Sequence, residues 1–202
     1  MFIGENGKFV IITYLGVFFS LSAIAFVLNQ QLTLAMMAFI LTGICDLFDG
    51  SFARMFDRTV AEEQFGVEID SLSDMINFVA FPSVMLLSQY SASLFSLIVV
   101  VVYTLCAISR LAHFNRLAKN EEPSHYFVGM PVTYSALFLP LLYLFDQWLD
   151  LGQYQLISHL TALLLGFLFI LNIRIPKPNR WAYIFFAVLA VLTLIGLGMV
   201  QW

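Results

Sequence analysis

Long apolar runs broken by short polar turns organise this chain. A membrane-spanning helix needs roughly 20 mostly apolar residues. On that rule the pattern predicts seven spans: Phe9 to Leu28, Leu32 to Phe56, Phe65 to Ser88, Ser91 to Leu117, Val132 to Leu149, Tyr154 to Ile173 and Trp181 to Gln201. Asn29-Gln30-Gln31 and Gln89-Tyr90-Ser91 mark tight helical hairpins, and Pro140 predicts a kink in the fifth and shortest span. The expected fold class is an all-α polytopic membrane protein, a bundle of six to seven transmembrane helices. No repeat or linker divides it, so residues 1–202 read as one integral-membrane domain.

Composition sharpens this picture. The chain is 61% hydrophobic and 11% charged, whereas a soluble domain carries about 25% charged residues. So little polar surface excludes a globule solvated by water. Cys45 and Cys106 both fall in apolar runs and are too few for a disulfide framework or a zinc site, so both read as small core residues. The first apolar run follows Glu5 and Lys8 without a small-residue cleavage site, so no cleavable signal peptide is expected. A formal charge of −4 with no basic cluster argues against a nucleic-acid partner.

The cationic residues orient the bundle. All nine lysines and arginines lie at the N-terminus or after an even-numbered span: Lys8, Arg54, Arg58, Arg110, Arg116, Lys119, Arg174, Lys177 and Arg180. The alternate loops hold none, although one carries Asp146 and Asp150. The positive-inside rule then predicts a multi-pass protein of the cell membrane with a cytoplasmic N-terminus and an outside C-terminus. Trp181 and Trp202 suit the two interfaces as anchors.

The second and third spans break the membrane pattern. Asp46, Asp49, Asp70 and Asp74 lie within hydrophobic runs near the cytoplasmic ends of their helices. An intramembrane carboxylate is costly and implies a partner or a function, and four together repel one another unless cations neutralise them. Asp46 and Asp49 are three apart and Asp70 and Asp74 four apart, so each pair shares a helical face. The turn between them is cytoplasmic, which makes the helices antiparallel neighbours and lets the pairs meet. Hard oxygen donors of this kind suit magnesium or manganese, with calcium also admissible, and not zinc. Two such ions would clamp a phosphate or pyrophosphate. Helix capping or buried ion pairing is the bland alternative, but only Arg54 and Arg58 lie nearby. Gly50, Ala53 and Gly66 could serve close helix packing or admit a nucleotide to the helix surface, and Arg54 could pair with an aspartate or a phosphate oxygen.

These residues read D-x2-D-G-x2-A-R, an eleven-residue gap, then G-x3-D-x3-D. The pattern resembles the signature of the CDP-alcohol phosphotransferase family, membrane enzymes that displace CMP from a CDP-linked lipid with an alcohol. The gap is longer than is commonest there, which implies a longer cytoplasmic turn. Phe65-Gly66 through Asp70-Ser71-Leu72-Ser73-Asp74, Arg110-Leu111-Ala112-His113-Phe114-Asn115 and Phe127-Val128-Gly129-Met130-Pro131 are similar to segments of the bacterial phosphatidylserine synthases of that family, and Asn172-Ile173-Arg174 echoes a late basic turn in them. The resemblance covers about residues 9–173, leaving 181–201 as an extra C-terminal helix. Thr13, Ser20, Asn77, Val79 and His113 depart from the usual residues, which bears on the acceptor and not on the reaction class.

The resemblance implies Asp46, Asp49 and Asp70 as principal metal ligands and Asp74 beside a second ion, with Asp74 also the base for the acceptor hydroxyl. It implies a cytidine pocket at Gly50, Ala53 and Gly66, with Asp49 and Arg54 in reach. CDP-diacylglycerol and L-serine are the expected substrates, within membrane lipid, and a homodimer is expected by analogy. Arg110 is the first choice for the lipid phosphate or serine carboxylate, against a snorkelling topology charge. Arg116 and Lys119 read as topology charges. His113 and Asn115 are further acceptor candidates, against a structural histidine and a helix cap. His125 and His159 carry no assigned role. Glycerol phosphate, an inositol phosphate or another hydroxy amino acid remain as acceptors, and outside the family a divalent-cation transporter remains.

Overall fold

The computed structural model describes residues 7–89, 93–118, 126–176 and 179–200. Lys119, His125, Lys177, Gln201, Trp202 and the Tyr90-Ser91 turn lie outside the described residues. Seven helices follow in order: α1 Ile11–Leu28, α2 Leu32–Ala53, α3 Val60–Gln89, α4 Leu94–Ala118, α5 Ser135–Trp148, α6 Tyr154–Ile170 and α7 Arg180–Gly198. The all-α polytopic membrane architecture expected from the apolar pattern is what forms. Five of the helices are long and apolar enough to cross a membrane; α5 and α6 are shorter than predicted.

The departures have local causes. The fifth span was expected from Val132, but Pro131 holds extended backbone and the chain first makes a 3-10 turn, Val132–Tyr134, before α5 begins. The sixth span was expected to reach Ile173. Instead α6 stops at Ile170, and Arg174–Pro176 (β2) pairs antiparallel with Tyr126–Val128 (β1). Gly129 makes this junction possible. Its φ of +74° suits only glycine, and a Cβ there would collide with the Phe169 carbonyl. Its N–H donates to the Ile173 carbonyl at 2.9 Å, and that of Met130 to Leu168 at 3.0 Å.

The turn between α2 and α3 is a correction to the long turn implied by the eleven-residue gap. α2 stops at Ala53, short of the expected Phe56, and α3 starts at Val60 rather than Phe65. Thr59 and Glu62 form a capping box: the Glu62 N–H donates to Thr59 Oγ1, and the Glu62 carboxylate accepts from the Thr59 N–H at 2.8 Å. The turn is thus residues 54–59, and the rest of the gap is the first part of α3. At 30 residues α3 is about 45 Å long, more than the roughly 30 Å hydrocarbon core. The excess lies in polar first turns, where Glu63, Gln64 and Glu68 are exposed.

Immediately after Asp74 the α3 backbone widens into a π stretch, Met75–Ala80. Such bulges recur at functional sites. Two carbonyls of the stretch take side-chain donors: Tyr103 Oη of α4 donates to the Phe78 carbonyl at 2.6 Å, and Ser20 Oγ of α1 to the Ile76 carbonyl at 3.2 Å, which also accepts the Phe81 N–H. Ser20, a departure from the family pattern, is therefore a brace for the segment that carries Asp74. Tyr103→Phe should remove the donor from a buried site and cost about 1 kcal/mol. Thermal melting in detergent checks this, and an unchanged midpoint would discount the bond.

Candidate metal centre and active site

α1 packs along both α2 and α3, and the π stretch of α3 reaches α2. This antiparallel placement brings the two aspartate pairs face to face. A carboxylate oxygen from each of Asp46, Asp49 and Asp70 lies within 4.8 Å of the other two. Asp74 completes the group: its carboxylate approaches that of Asp46, as Asp49 approaches Asp70. Thr13 Oγ1 donates to Asp49 Oδ2 at 3.3 Å, and the Gly50 N–H to Asp49 Oδ1. Thr13 entered the sequence reading only as a departure from the family. A threonine in the first turn of an apolar helix gave no signal of this contact.

Neither bland reading of the aspartates survives. Among the described residues none of the four has a lysine or arginine at ion-pair distance, and Arg58 pairs instead with Glu63 at 3.5 Å. None is an N-cap whose side chain accepts a helix-start N–H. One oxygen of Asp74, Oδ1, is buried without a hydrogen-bond partner among the described residues. Oxygens within 4.8 Å of one another can share one hard cation with bonds of about 2.0–2.6 Å, so the donor set fits a divalent metal. Asp46, Asp49 and Asp70 would hold it, with Asp74 adjoining.

The carboxylates line one end of a cavity of about 280 Å³ between α2, α3, α4, α5 and α7. Arg110 lines the same cavity and is 6% exposed, with Nε buried and unpartnered among the described residues. Its guanidinium lies 5.3 Å from the Phe114 ring. A charge buried this deeply is no snorkelling topology residue. Arg116, by contrast, is exposed. Thr133, Tyr134 and Tyr183 also line the cavity; the sequence reading missed all three, because nothing local to the 3-10 turn or to the last helix marks them.

Other candidates separate. His113 is half-buried and lines a second cavity of about 270 Å³ on the other side of Arg110, with Ser109, Gly129 and Asn172. Asn115 lies inside α4, which continues to Ala118, so it is not a helix cap; its Oδ1 is buried and unpartnered among the described residues. Arg54 is exposed and its Nη2 donates to Ser51 Oγ at 3.1 Å, so it pairs with no aspartate. His159 is a structural histidine, bonded to the Gln155 carbonyl at 2.6 Å and Ser96 Oγ at 3.0 Å. Asp146 accepts from the Gln153 N–H at 2.8 Å, bracing the α5–α6 turn.

Gly50, Ala53 and Gly66 do not line the cavity; Gly50 is exposed, and Ala53 and Gly66 are half-buried. A Cβ at Gly50 or Gly66 would meet nothing closer than 3.7 Å, whereas at Gly43 it would come within 2.8 Å of Ala136. Gly43 is thus a packing glycine, and Gly50 and Gly66 are not.

Comparison with known proteins supplies the deciding observation. The profile of the CDP-alcohol phosphatidyltransferase family matches residues 10–171, most of the chain. The chain belongs to the CDP-alcohol phosphatidyltransferase family. Its relatives include proteins named CDP-diacylglycerol–serine O-phosphatidyltransferase. One, from Methanocaldococcus jannaschii, is 33% identical over 155 residues, covering 76% of this chain and 70% of the relative. Another, from Mycobacterium bovis, is 31% identical over 192 residues, covering 89% of this chain and 66% of the relative. A third, from Helicobacter pylori, is 29% identical over 187 residues, covering 89% and 77%. No solved structure matches the chain. Membership removes the cation-transporter alternative and accounts for the metal-competent aspartates, all of which fall inside the matched region. α7 lies outside it.

Gly66 yields a test, because a Cβ there makes only ordinary contacts, with Phe9 and Arg58 at 3.7 Å. Gly66→Ala should fold normally by thermal melting, and Gly66→Leu should weaken CDP-lipid binding. Unchanged affinity would exclude Gly66 from the nucleotide pocket.

Proposed function

We propose that this chain transfers the phosphatidyl group of CDP-diacylglycerol to L-serine, forming phosphatidylserine and CMP. The observation that carries the reading is the convergence of Asp46, Asp49 and Asp70 oxygens within 4.8 Å, next to Asp74 and buried Arg110 in one cavity. The names of the relatives support serine as the acceptor. So does the scarcity of cationic side chains: Arg110 is the one lysine or arginine lining the cavity among the described residues, where a phosphorylated acceptor would want several.

Each residue then has a task. Asp46, Asp49 and Asp70 would hold magnesium or manganese, with Asp74 beside a second ion; calcium would suit the same oxygen donors. When bound, the metal neutralises the diphosphate and stabilises the departing CMP. Asp74 takes the proton of the serine hydroxyl as its oxygen attacks the phosphorus that carries the diacylglycerol. The bond from that phosphorus to the bridging oxygen breaks, and CMP leaves with the electron pair. Arg110 binds the serine carboxylate or the lipid phosphate, and His113 and Asn115 flank it on α4. Gly50, Ala53 and Gly66, with Arg54 and Asp49, leave room for cytidine. The aspartate end faces the cytoplasm of the cell membrane, in keeping with the cationic residues, which sets the N-terminus inside and the C-terminus outside. A homodimer is part of this reading by family analogy.

Purified protein given radiolabelled CDP-diacylglycerol and a panel of alcohols tests it directly. Serine should yield labelled phosphatidylserine with release of CMP. A product formed from glycerol phosphate or an inositol phosphate, and none from serine, would overturn the acceptor assignment.

A further inference from the structure

The cavity that reaches the aspartates does not end with them. It continues between α2, α5 and α7, where Ile40, Ile44, Leu47, Leu137, Phe186 and Ala190 make its walls apolar. α7 contributes Tyr183, Phe186, Ala190 and Thr193. These are spaced i, i+3, i+7 and i+10, a single helical face. Residues on the other side of the same helix, such as Phe185, Leu192 and Ile195, are exposed and suit surrounding lipid. The face is anchored at its polar end, where the Phe186 ring meets Tyr134 edge-on at 5.6 Å.

The dimensions have a meaning. Tyr183 to Thr193 spans about 15 Å of helix, which is half of a hydrocarbon core roughly 30 Å thick. α7 starts at the end of the bundle that carries Arg174 and the aspartates and runs away from it. A groove that is polar at its aspartate end and walled by apolar side chains for about 15 Å beyond it matches the depth of one leaflet, which an acyl chain occupies. Behind it α2 and α5 close tightly at Gly43 and Ala136, so the groove has a firm floor.

We propose that the Tyr183–Phe186–Ala190–Thr193 face of α7 walls an acyl-chain groove for the CDP-lipid, and that Ala190, the smallest side chain on that face, sets which chains enter. This rests on the proposed function, since a diacyl lipid held by its diphosphate at the aspartates must lay its chains in an apolar space opening from the same point. It also gives α7, outside the family match, a part in substrate selection.

The test compares CDP-lipids with dioleoyl and dihexanoyl chains in detergent, the second too short to reach the level of Ala190. Ala190→Phe should lower kcat/KM for the dioleoyl substrate at least about tenfold, or 1.4 kcal/mol, while the dihexanoyl value stays within about twofold. Leu192→Phe, on the exposed side of α7, should alter neither. Equal effects of Ala190→Phe on both substrates overturn the proposal. Should that variant fail to fold, Phe186→Ala widens the groove and should shift preference toward branched-chain CDP-lipids; an unchanged chain profile overturns it equally. Measuring CDP-lipid binding alongside turnover separates this inference from the acceptor assignment. Protein that binds long-chain CDP-lipid with this dependence but ignores serine refutes only the acceptor.

Discussion

Asp74→Asn is expected to lower turnover by about 10²- to 10⁴-fold, the contribution of a positioned general base, while CDP-diacylglycerol binding persists. Asparagine keeps the shape and can still accept a hydrogen bond, but it cannot take the proton of an attacking hydroxyl. Asp46, Asp49 and Asp70 remain as the three oxygen donors whose mutual spacing suits a metal, so the diphosphate keeps its anchor. Asp74 is singled out by its environment. It closes the α-helical part of α3, just before the backbone widens at Met75–Ala80. Its Oδ1 is buried without a hydrogen-bond partner among the described residues. Turnover and CDP-lipid binding measured on the same preparation decide the matter, and near-normal turnover would remove Asp74 from the role of base.

Removing the metal is expected to have the second large effect, and it should be seen in stability as well as activity. Chelation should abolish CMP release, with recovery on adding magnesium or manganese. Stripped of cations, the protein holds four carboxylates at close quarters with no arginine at ion-pair distance among the described residues. Like charges in a poorly solvated site repel strongly. Asp70→Asn should therefore melt at a higher temperature than the unmodified protein in chelator, and lose the stabilisation that the unmodified protein gains from added metal. Thermal melting with and without metal reads both. If Asp70→Asn proved less stable in chelator and still gained as much from metal, the shared-ion picture would be wrong. The same substitution should leave the protein without metal-dependent turnover.

Much of this was legible in the chain. Apolar length is a one-dimensional property, so α1, α2 and α4 appear close to where it places them. The spacing of Asp46, Asp49, Asp70 and Asp74 is local to two helices, and a short connection between antiparallel neighbours leaves them little choice but to meet. Capping could also have been read: Thr59 and Glu62 spell a capping box, and reading it would have started α3 at Val60 and shortened the turn.

Other features needed contacts between residues far apart in the chain. The π stretch depends on Ser20 and Tyr103, whose partners lie 56 and 25 residues away. The β1–β2 ribbon joins segments some fifty residues apart, and neither strand has an alternation long enough to announce itself. Whether a glycine is there for packing cannot be told from spacing, because Gly43 and Gly50 look alike until the neighbouring helix is in place. Arg110 could equally have been a surface charge; only burial beside the cavity makes it part of a site.

Membrane residence, the helical class and the chemistry of the aspartates follow from composition and short-range periodicity, because the cost of exposing backbone or charge to hydrocarbon acts residue by residue. The shape of the cavity, the burial of Arg110 and the use of one face of α7 as its wall come from packing between distant segments. No local energy favours one of those arrangements over another until the helices touch.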